Sequence, residues 1–154
     1  ATAKLDALGI EYAVLTYDPE TLEELGSLGE SVAHALGVEP ARMFKTLIAQ
    51  VDGKPTCAVI PTSGELSLKA LARAAGGKRA EMARPGDAEK WTGYVTGGIS
   101  PIAQSRHMRL YLDASAESHG RILVSAGKRG LQIELTPAAL LLASEAATAE
   151  ICTK

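Results

Sequence analysis

The sequence has no asparagine, two cysteines, one tryptophan and one phenylalanine among its 154 residues. Catalytic triads and metal sites that need an asparagine are therefore excluded. Cys57 and Cys152 lie far apart and form no C-x-x-C pair, so we expect neither a disulfide framework nor a zinc site, and a reducing cytoplasm is the default location. No apolar run approaches the length of a membrane span, and we expect no secretory leader.

The usual catalytic motifs are also missing. The chain contains no G-x-S-x-G elbow, no Walker loop and no H-E-x-x-H helix. His34, His107 and His119 fall in separate segments without the spacing of metal ligands, and we interpret them as surface or capping residues. We therefore expect no metal and no cofactor, and a hydrolase that relies on its own serine, cysteine or metal is not favoured.

Charge is distributed unevenly along a chain whose formal net charge is only -2. Residues 1–65 carry 4 basic and 10 acidic side chains, whereas residues 66–130 carry 11 basic and 5 acidic ones. A basic middle segment is what a local phosphate-binding surface would produce. A solvated surface of mixed charge would give the same pattern, and the sequence leaves both interpretations open.

Cap and stop residues predict four helices. Thr136 is a natural cap for a helix that begins with proline, and Gly37 is a natural left-handed stop. We expect a single domain over residues 1–154, since a chain of this length that is 46% apolar can bury one core. The predicted helices are residues 3–8 with Thr2 as a cap, Ser27–Leu36, Leu66–Ala75 closed by Gly76 and Gly77, and Pro137–Ala146.

Two apolar runs, Phe44–Val51 and Lys54–Pro61, flank Asp52 and Gly53 and predict a hairpin. Because strands outnumber helices without alternating regularly with them, we predict an α/β (α+β) fold, a mixed sheet or small barrel flanked by helices rather than a doubly wound sheet. The other predicted strands are Glu11–Tyr17, Arg79–Met82, Tyr94–Thr96, Arg109–Asp113, Ile122–Ser125 and Leu131–Leu135.

Two features are candidates for a site. The stretch TGYVTGGISPIAQ, residues 92–104, predicts a loop of defined shape, because paired glycines take positive φ freely and Pro101 restricts Ser100. Side-chain alternation places Lys45 on the same face as Leu47, Ala49 and Val51. That lysine is either a sheet-edge residue that reaches water or a cation at the mouth of a pocket, where it would attract a carbonyl oxygen or a phosphate.

Three motifs together resemble those of the YbaK family of aminoacyl-tRNA deacylases. They are FKTL at 44–47, TGYVTGGISP at 92–101 and SAGKRGLQIEL at 125–135, and the similarity extends over nearly the whole chain. The resemblance implies the fold shared with the editing domain of bacterial prolyl-tRNA synthetases. Within the family the motifs resemble those of the Cys-tRNA(Pro) and Cys-tRNA(Cys) deacylases, which implies trans-editing of mischarged tRNA.

The resemblance also implies roles for individual residues. Lys45 matches the essential lysine that orients the ester, and Gly97, Gly98 and Ile99 match the loop that meets the aminoacyl group. Gln132 stands where well-known members have aspartate, so any role of a carboxylate is in doubt. Further positions expected around the aminoacyl-adenosine are Tyr17, Leu28, Thr46, Ser100 and Ser125. Residues expected to contact tRNA phosphates are Lys69, Arg73, Lys78, Arg79, Lys128 and Arg129.

In this family the substrate's own thiol is thought to attack its carbonyl, so the protein need only position the ester. The resemblance implies tRNA as a partner and, through the relatives, prolyl-tRNA synthetase. Two alternatives remain open at this stage. One is a deacylase for another small amino acid such as alanine or serine, and the other is a non-catalytic nucleotide- or RNA-binding module.

Overall fold

The computed structural model describes residues 1–153, which form five α-helices and ten strands. The helices are α1 (Thr2–Ala7), α2 (Leu28–Leu36), α3 (Leu68–Ala74), α4 (Pro85–Thr92) and α5 (Pro137–Ser144). The strands are β1 (Ala13–Thr16), β2 (Phe44–Val51), β3 (Lys54–Pro61), β4 (Glu65–Leu66), β5 (Ala80–Met82), β6 (Arg109–Asp113), β7 (Ile122–Ser125), β8 (Leu131–Leu135), β9 (Ala147–Ala149) and β10 (Cys152–Thr153). Short 3-10 helices cover Pro40–Arg42 and Ala114–Ser118.

The β2–β3 hairpin is the centre of a five-stranded sheet. Asp52 and Gly53 close it with φ of 50° and 80°, the left-handed backbone that a two-residue hairpin turn needs. The strand order is β5-β2-β3-β6-β9, with antiparallel pairs from β5 to β3 and parallel pairs from β3 to β9. The prediction of a mixed sheet flanked by helices is confirmed.

A second sheet is antiparallel, in the order β1-β8-β7. It joins the first sheet through a parallel bridge between Met43 and Leu123, just before β2 begins. The two sheets therefore meet at the start of β2, close to Lys45. A further pair, β4 with β10, ties the last described residues to the segment before α3.

Alternating side chains of β2 enter two different parts of the core. Phe44 and Ile48 pack with β7, β8 and α5 in the largest apolar cluster. Ala49 and Val51 face the other way and pack with Leu71 of α3. Because both faces of the sheet are covered, the strand is held firmly, and each buried large side chain contributes about 1.5–3 kcal/mol.

The helix predictions are confirmed with small differences at the ends. Ser27 caps α2 through the backbone N–H of Glu30, Gly37 ends that helix in the left-handed region, and Thr136 caps α5. Thr2 is not a cap, because the first helix already includes it. The predicted start of α3 at Leu66 is wrong by two residues, since Leu66 pairs with Cys152 in β4 and Ser67 is the cap.

Candidate functional site

A cavity of about 350 Å³ lies at the start of β2, where the two sheets meet. Its wall combines residues from the first turn of α2, from β2, from the segment 82–88, from loop 96–99 and from β7 and β8. This volume is in the range of small-molecule sites. Most of the wall is apolar, with a few polar groups between.

The cavity exists because one edge of β2 lacks a partner at Thr46. In the β2–β3 hairpin, residues with even numbers direct their backbone N–H and C=O away from β3. On that side, β5 and Ala83 cover β2 from Ile48 onward, and β7 meets the chain at Met43. The backbone of Thr46 lies in the gap between these two partners and faces the cavity.

Lys45 supplies the only charged side chain among the described residues of the cavity wall. None of the ion pairs formed within residues 1–153 includes it. An ammonium that is not neutralised by a carboxylate keeps its full attraction for a ligand oxygen, and the apolar walls strengthen that attraction by excluding water. Lys45 is half-buried and belongs to the cavity wall, which is the position that the pocket-cation interpretation requires.

Gly97 and Gly98 allow two loops to approach each other at the cavity. Gly97 has φ of 90°, and a Cβ there would lie 3.0 Å from Arg129 Nε. A Cβ on Gly98 would lie 3.3 Å from the backbone nitrogen of Arg129. The glycine pair thus serves close packing against the loop between β7 and β8, and it leaves Gly97 in the cavity wall.

The predicted strand Tyr94–Thr96 is wrong. Gly93 is the left-handed cap of α4, a helix that was not predicted, and the chain turns through 94–98 instead of extending. Pro85 at the first turn of α4 was the signal that could have revealed the helix. Tyr94 is half-buried, and its hydroxyl donates to the carbonyl of Ile102 at 2.6 Å, which fixes the loop.

The structure brings together most of the residues expected at the aminoacyl-adenosine. The cavity wall contains Tyr17, Leu28, Lys45, Thr46, Gly97, Ile99, Ser125 and Gln132. Gly98 and Ser100 lie behind that wall and are buried, contrary to the expectation that they face the ligand. The hydroxyl of Ser100 accepts from the N–H of Ile102 at 3.2 Å, so its contacts are within the loop.

Several wall residues were not expected. They come from β5, α4 and the segment before β2, and their positions depend on strand pairing rather than on any local motif. Met43, Met82, Ala83, Pro85 and Ala88 are the main examples. Together they make this side of the cavity apolar, with Met82 47% exposed at its rim.

Neither cysteine is activated. Burial raises the pKa of the Cys57 thiol to about 12, so it is protonated at neutral pH. The pKa of Cys152 is also raised, first by burial and then by Asp113, although Lys45 acts in the opposite direction. These thiols are therefore poor nucleophiles. Within residues 1–153 no cluster of three or more His, Cys, Asp or Glu side chains could hold a metal ion.

The six basic residues expected at tRNA are all exposed, and they fall in separate places. Lys128 and Arg129 lie in the β7–β8 loop beside Gly97, at the cavity. The backbone N–H groups of Lys78 and Arg79 bind the Asp52 carboxylate at the far end of β2. Asp52 lies seven positions after Lys45, a distance of about 23 Å on an extended strand.

The chain belongs to a known family. Residues 23–142 match the model of the aminoacyl-tRNA editing domain. A protein of Enterococcus faecalis with the provisional name Cys-tRNA(Pro)/Cys-tRNA(Cys) deacylase EbsC is 50% identical over 127 residues, which are 81% of this chain and 77% of that protein. The resemblance to the YbaK family is thereby confirmed.

More distant relatives share the domain within larger proteins or share its fold. A proline–tRNA ligase of Citrifermentans bemidjiense is 31% identical over 122 residues, which are 77% of this chain but only 21% of the ligase. A crystal structure of a protein provisionally described as a trans-editing enzyme for prolyl tRNA synthetase superposes with a TM-score of 0.86. That match covers 99% of this chain and 94% of the other at 21% identity, so it shows the fold alone.

The helices of the fold are six to nine residues long. Among residues 1–153, no helix combines the length and the hydropathy that crossing a bilayer would require.

Proposed function

We propose that this protein hydrolyses the aminoacyl ester of mischarged tRNA, with cysteine on proline tRNA as its main substrate. The observation that carries the proposal is the cavity whose described wall has one charged side chain, Lys45, in a chain that is 50% identical over 127 residues to a protein named as a Cys-tRNA deacylase. An aminoacyl ester is already activated, so binding and orientation supply much of the catalysis.

Lys45 is the residue that we assign to the ester. Its ammonium would lie at the carbonyl oxygen and would stabilise the negative charge that develops there as the bond to tRNA breaks. The side chain is suited to this role because it forms no ion pair with any carboxylate among residues 1–153. Gly97 would form the opposing wall and hold the aminoacyl group beside the lysine.

The nucleophile would come from the substrate. The cysteinyl thiol attacks its own carbonyl carbon, an S–C bond forms, the bond from that carbon to the ribose oxygen breaks, and the thiol proton ends on the released hydroxyl. The four-membered thiolactone then opens with water to give free cysteine. This route fits a protein whose Cys57 is held as a thiol by burial and whose Cys152 also has a raised pKa.

Contacts with the tRNA backbone would come from the exposed basic residues. Arg129 packs against Gly97 at the cavity. It would therefore meet the phosphates next to the aminoacylated end. Lys78 and Arg79 directly precede β5. The last residue of that strand, Met82, is at the cavity rim, about 10 Å along the strand from Arg79. Lys69 and Arg73 lie on α3 before them. Phosphate contacts do not read tRNA identity, so discrimination by tRNA would require a partner such as prolyl-tRNA synthetase.

The test is a panel of tRNA(Pro) charged with cysteine, serine, alanine or proline and incubated with the purified protein. We expect cysteinyl-tRNA to be hydrolysed fastest and prolyl-tRNA to be spared. Alkylation of the cysteinyl thiol should stop the reaction, because the substrate then lacks its nucleophile. Fast turnover of alanyl-tRNA would reject the thiol route and would assign the protein to a deacylase for small amino acids.

A second candidate is a binding module without catalysis, and Gln132 is the observation that favours it. The side chain is buried in the cavity wall and supplies no charge. A module of this kind would bind aminoacyl-tRNA and protect its ester. Slower deacylation of cysteinyl-tRNA in the presence of the protein than in buffer would establish that function instead.

A further inference from the structure

Two residues of the cavity wall each have a buried side-chain oxygen without a hydrogen-bond partner in the protein. These oxygens are Thr46 Oγ1 and Gln132 Oε1, and residues 1–153 hold no other buried side-chain oxygen or nitrogen in this condition. Gln132 is 6% exposed. Leaving such a group unpaired is costly, so folded proteins satisfy nearly all of them. Because both residues line the same cavity, a ligand bound there is the partner that would satisfy these two oxygens.

The neighbours of Gln132 in the sheet leave its side-chain oxygen unpaired. Its register partners are Leu15 on β1 and Ser125 on β7. Leucine has no polar side-chain group, and the Ser125 hydroxyl, which accepts from the N–H of Gly127 at 3.2 Å, makes no hydrogen bond to Gln132 Oε1. A carboxamide can also turn by half a rotation, so the Gln132 amide can present either its oxygen or its nitrogen to a ligand.

The described wall of the cavity contains no carboxylate, and Lys45 is its only charged side chain. On neighbouring elements, Glu30 is bound to the Ser27 cap and Glu134 to Arg42 at 2.8 Å. The guanidinium of Arg129 adds a second positive charge beside Gly97. In such surroundings the uncharged form of an amine is favoured over the ammonium.

We infer that Gln132 and Thr46 determine specificity by binding the α-substituent of the acyl group as an uncharged hydrogen-bond donor. This inference rests on the proposed function, because it takes the ligand to be an acyl ester of a terminal adenosine. The ligand class is then acyl groups with a neutral amine or a hydroxyl at the α-carbon. A carboxylate at position 132 would instead select the ammonium form.

The same geometry separates a ligand-binding role from a structural one. If Gln132 Oε1 were structural, replacing it would remove a favourable contact and lower stability. Since the atom has no partner, Gln132→Met removes an unsatisfied polar group, and the methionine side chain has nearly the same shape as the glutamine side chain. We expect this variant to unfold a few degrees higher than the wild type and to bind the ligand less tightly.

The experiment compares two stable probes in which an amide replaces the ester: 3′-amino-3′-deoxyadenosine acylated with cysteine, and its counterpart with an α-hydroxyl in place of the amine. Dissociation constants are measured at pH 7 for the wild type, Gln132→Asp and Gln132→Met. Gln50→Asp is the control, because it makes the same charge change on β2 outside the cavity wall. Neither probe can be deacylated, so the result is independent of catalysis.

We expect the wild type to bind the hydroxyl probe within about threefold of the amine probe, or more tightly. Gln132→Asp should shift the ratio of the two dissociation constants at least tenfold in favour of the amine probe. Gln132→Met should weaken the binding of both probes by about three- to tenfold. Gln50→Asp should bind both probes as the wild type does. The inference is overturned if the wild type prefers the amine probe more than tenfold, binds neither probe, or shares its ratio with Gln132→Asp. If the variants discriminate between the two probes as expected but the wild type deacylates no aminoacyl-tRNA, the proposed function is rejected and the inference about Gln132 stands.

Discussion

The carboxylate of Glu89 accepts a 2.7 Å hydrogen bond from the backbone N–H of Thr96. It ties helix α4 to the loop that forms one wall of the cavity. Thr96 directly precedes Gly97, and both belong to that wall. The position of the wall therefore depends on a helix that lies earlier in the chain and that carries no residue of the recognised motifs except Thr92 at its end.

This bond predicts a pH dependence of the loop. Hydrogen bonds from Thr96 lower the pKa of Glu89 below its ordinary value of 4.5. A lowered pKa in the folded state means that the stabilisation is present above about pH 4.5 and is lost as the pH falls through the folded value. We expect Glu89→Ala to lower the unfolding temperature near pH 7, with the difference from the wild type shrinking as the pH falls below 4.5 and through the lowered pKa of the folded state. A difference that stays constant from neutral to strongly acidic pH would contradict the carboxylate's role.

Gly97→Ala should impair both the loop and the activity. The residue has φ of 90°, and the new Cβ would lie 3.0 Å from Arg129 Nε. Gly53→Ala is a matched control, since Gly53 has φ of 80° and no atom near its Cβ position. Each variant should lose about 1–2 kcal/mol from backbone strain. Only Gly97→Ala should also reduce deacylation, and equal activities in the two variants would argue against the wall assignment.

Arg129 should contribute more to tRNA affinity than the basic residues at the other end of β2. Charge reversal at Arg129 should weaken binding and reduce the dependence of log affinity on log salt by about 0.7–0.9 for each phosphate that the variant no longer neutralises. Charge reversal at Arg73, on the exposed side of α3, is the comparison, and it should weaken tRNA binding less than charge reversal at Arg129. Salt-independent binding by the wild type would mean that the basic middle segment does not meet phosphates.

The two cysteines should be dispensable for catalysis. Cys57 is fully buried and its pKa of about 12 keeps it protonated. Replacing both Cys57 and Cys152 with alanine should leave the deacylation rate of cysteinyl-tRNA within a few-fold of the wild type, although the loss of the buried sulfur should lower stability. A much slower variant whose circular dichroism spectrum is native would indicate a protein thiol in the mechanism.

Local signals were enough to predict much of the fold. The Asp52-Gly53 turn determines the register of β2 and β3, and the bounds of β6, β7 and β8 agree with the prediction because each is a short apolar run between turn residues. Strands β9 and β10 were missed, because they are short and depend on partners far along the chain, Tyr111–Asp113 and Glu65–Leu66. Tyr94–Thr96 has β-forming residues, but the left-handed cap at Gly93 overrides them.

The candidate site was predictable only through the family motifs. Alternation on β2 placed Lys45 correctly with respect to its neighbours, yet left open whether it reached water or a pocket. The answer depends on the gap at Thr46 between β5 and β7, a tertiary feature without a local signature. For Ser100 the family motif itself was misleading. It predicted a residue that contacts the ligand, whereas the Ser100 hydroxyl accepts a hydrogen bond within its own loop.

The most direct test of the account is the single-turnover rate of cysteinyl-tRNA(Pro) deacylation by Lys45→Ala. Lys54→Ala is the control, because it removes the same charge from the adjacent strand at an exposed position. If Lys45 stabilises the charge on the ester oxygen, its loss should slow the reaction about 100- to 1000-fold, while Lys54→Ala stays close to the wild type. A rate for a folded Lys45→Ala protein within a few-fold of the wild type would contradict the assignment of Lys45 to the ester.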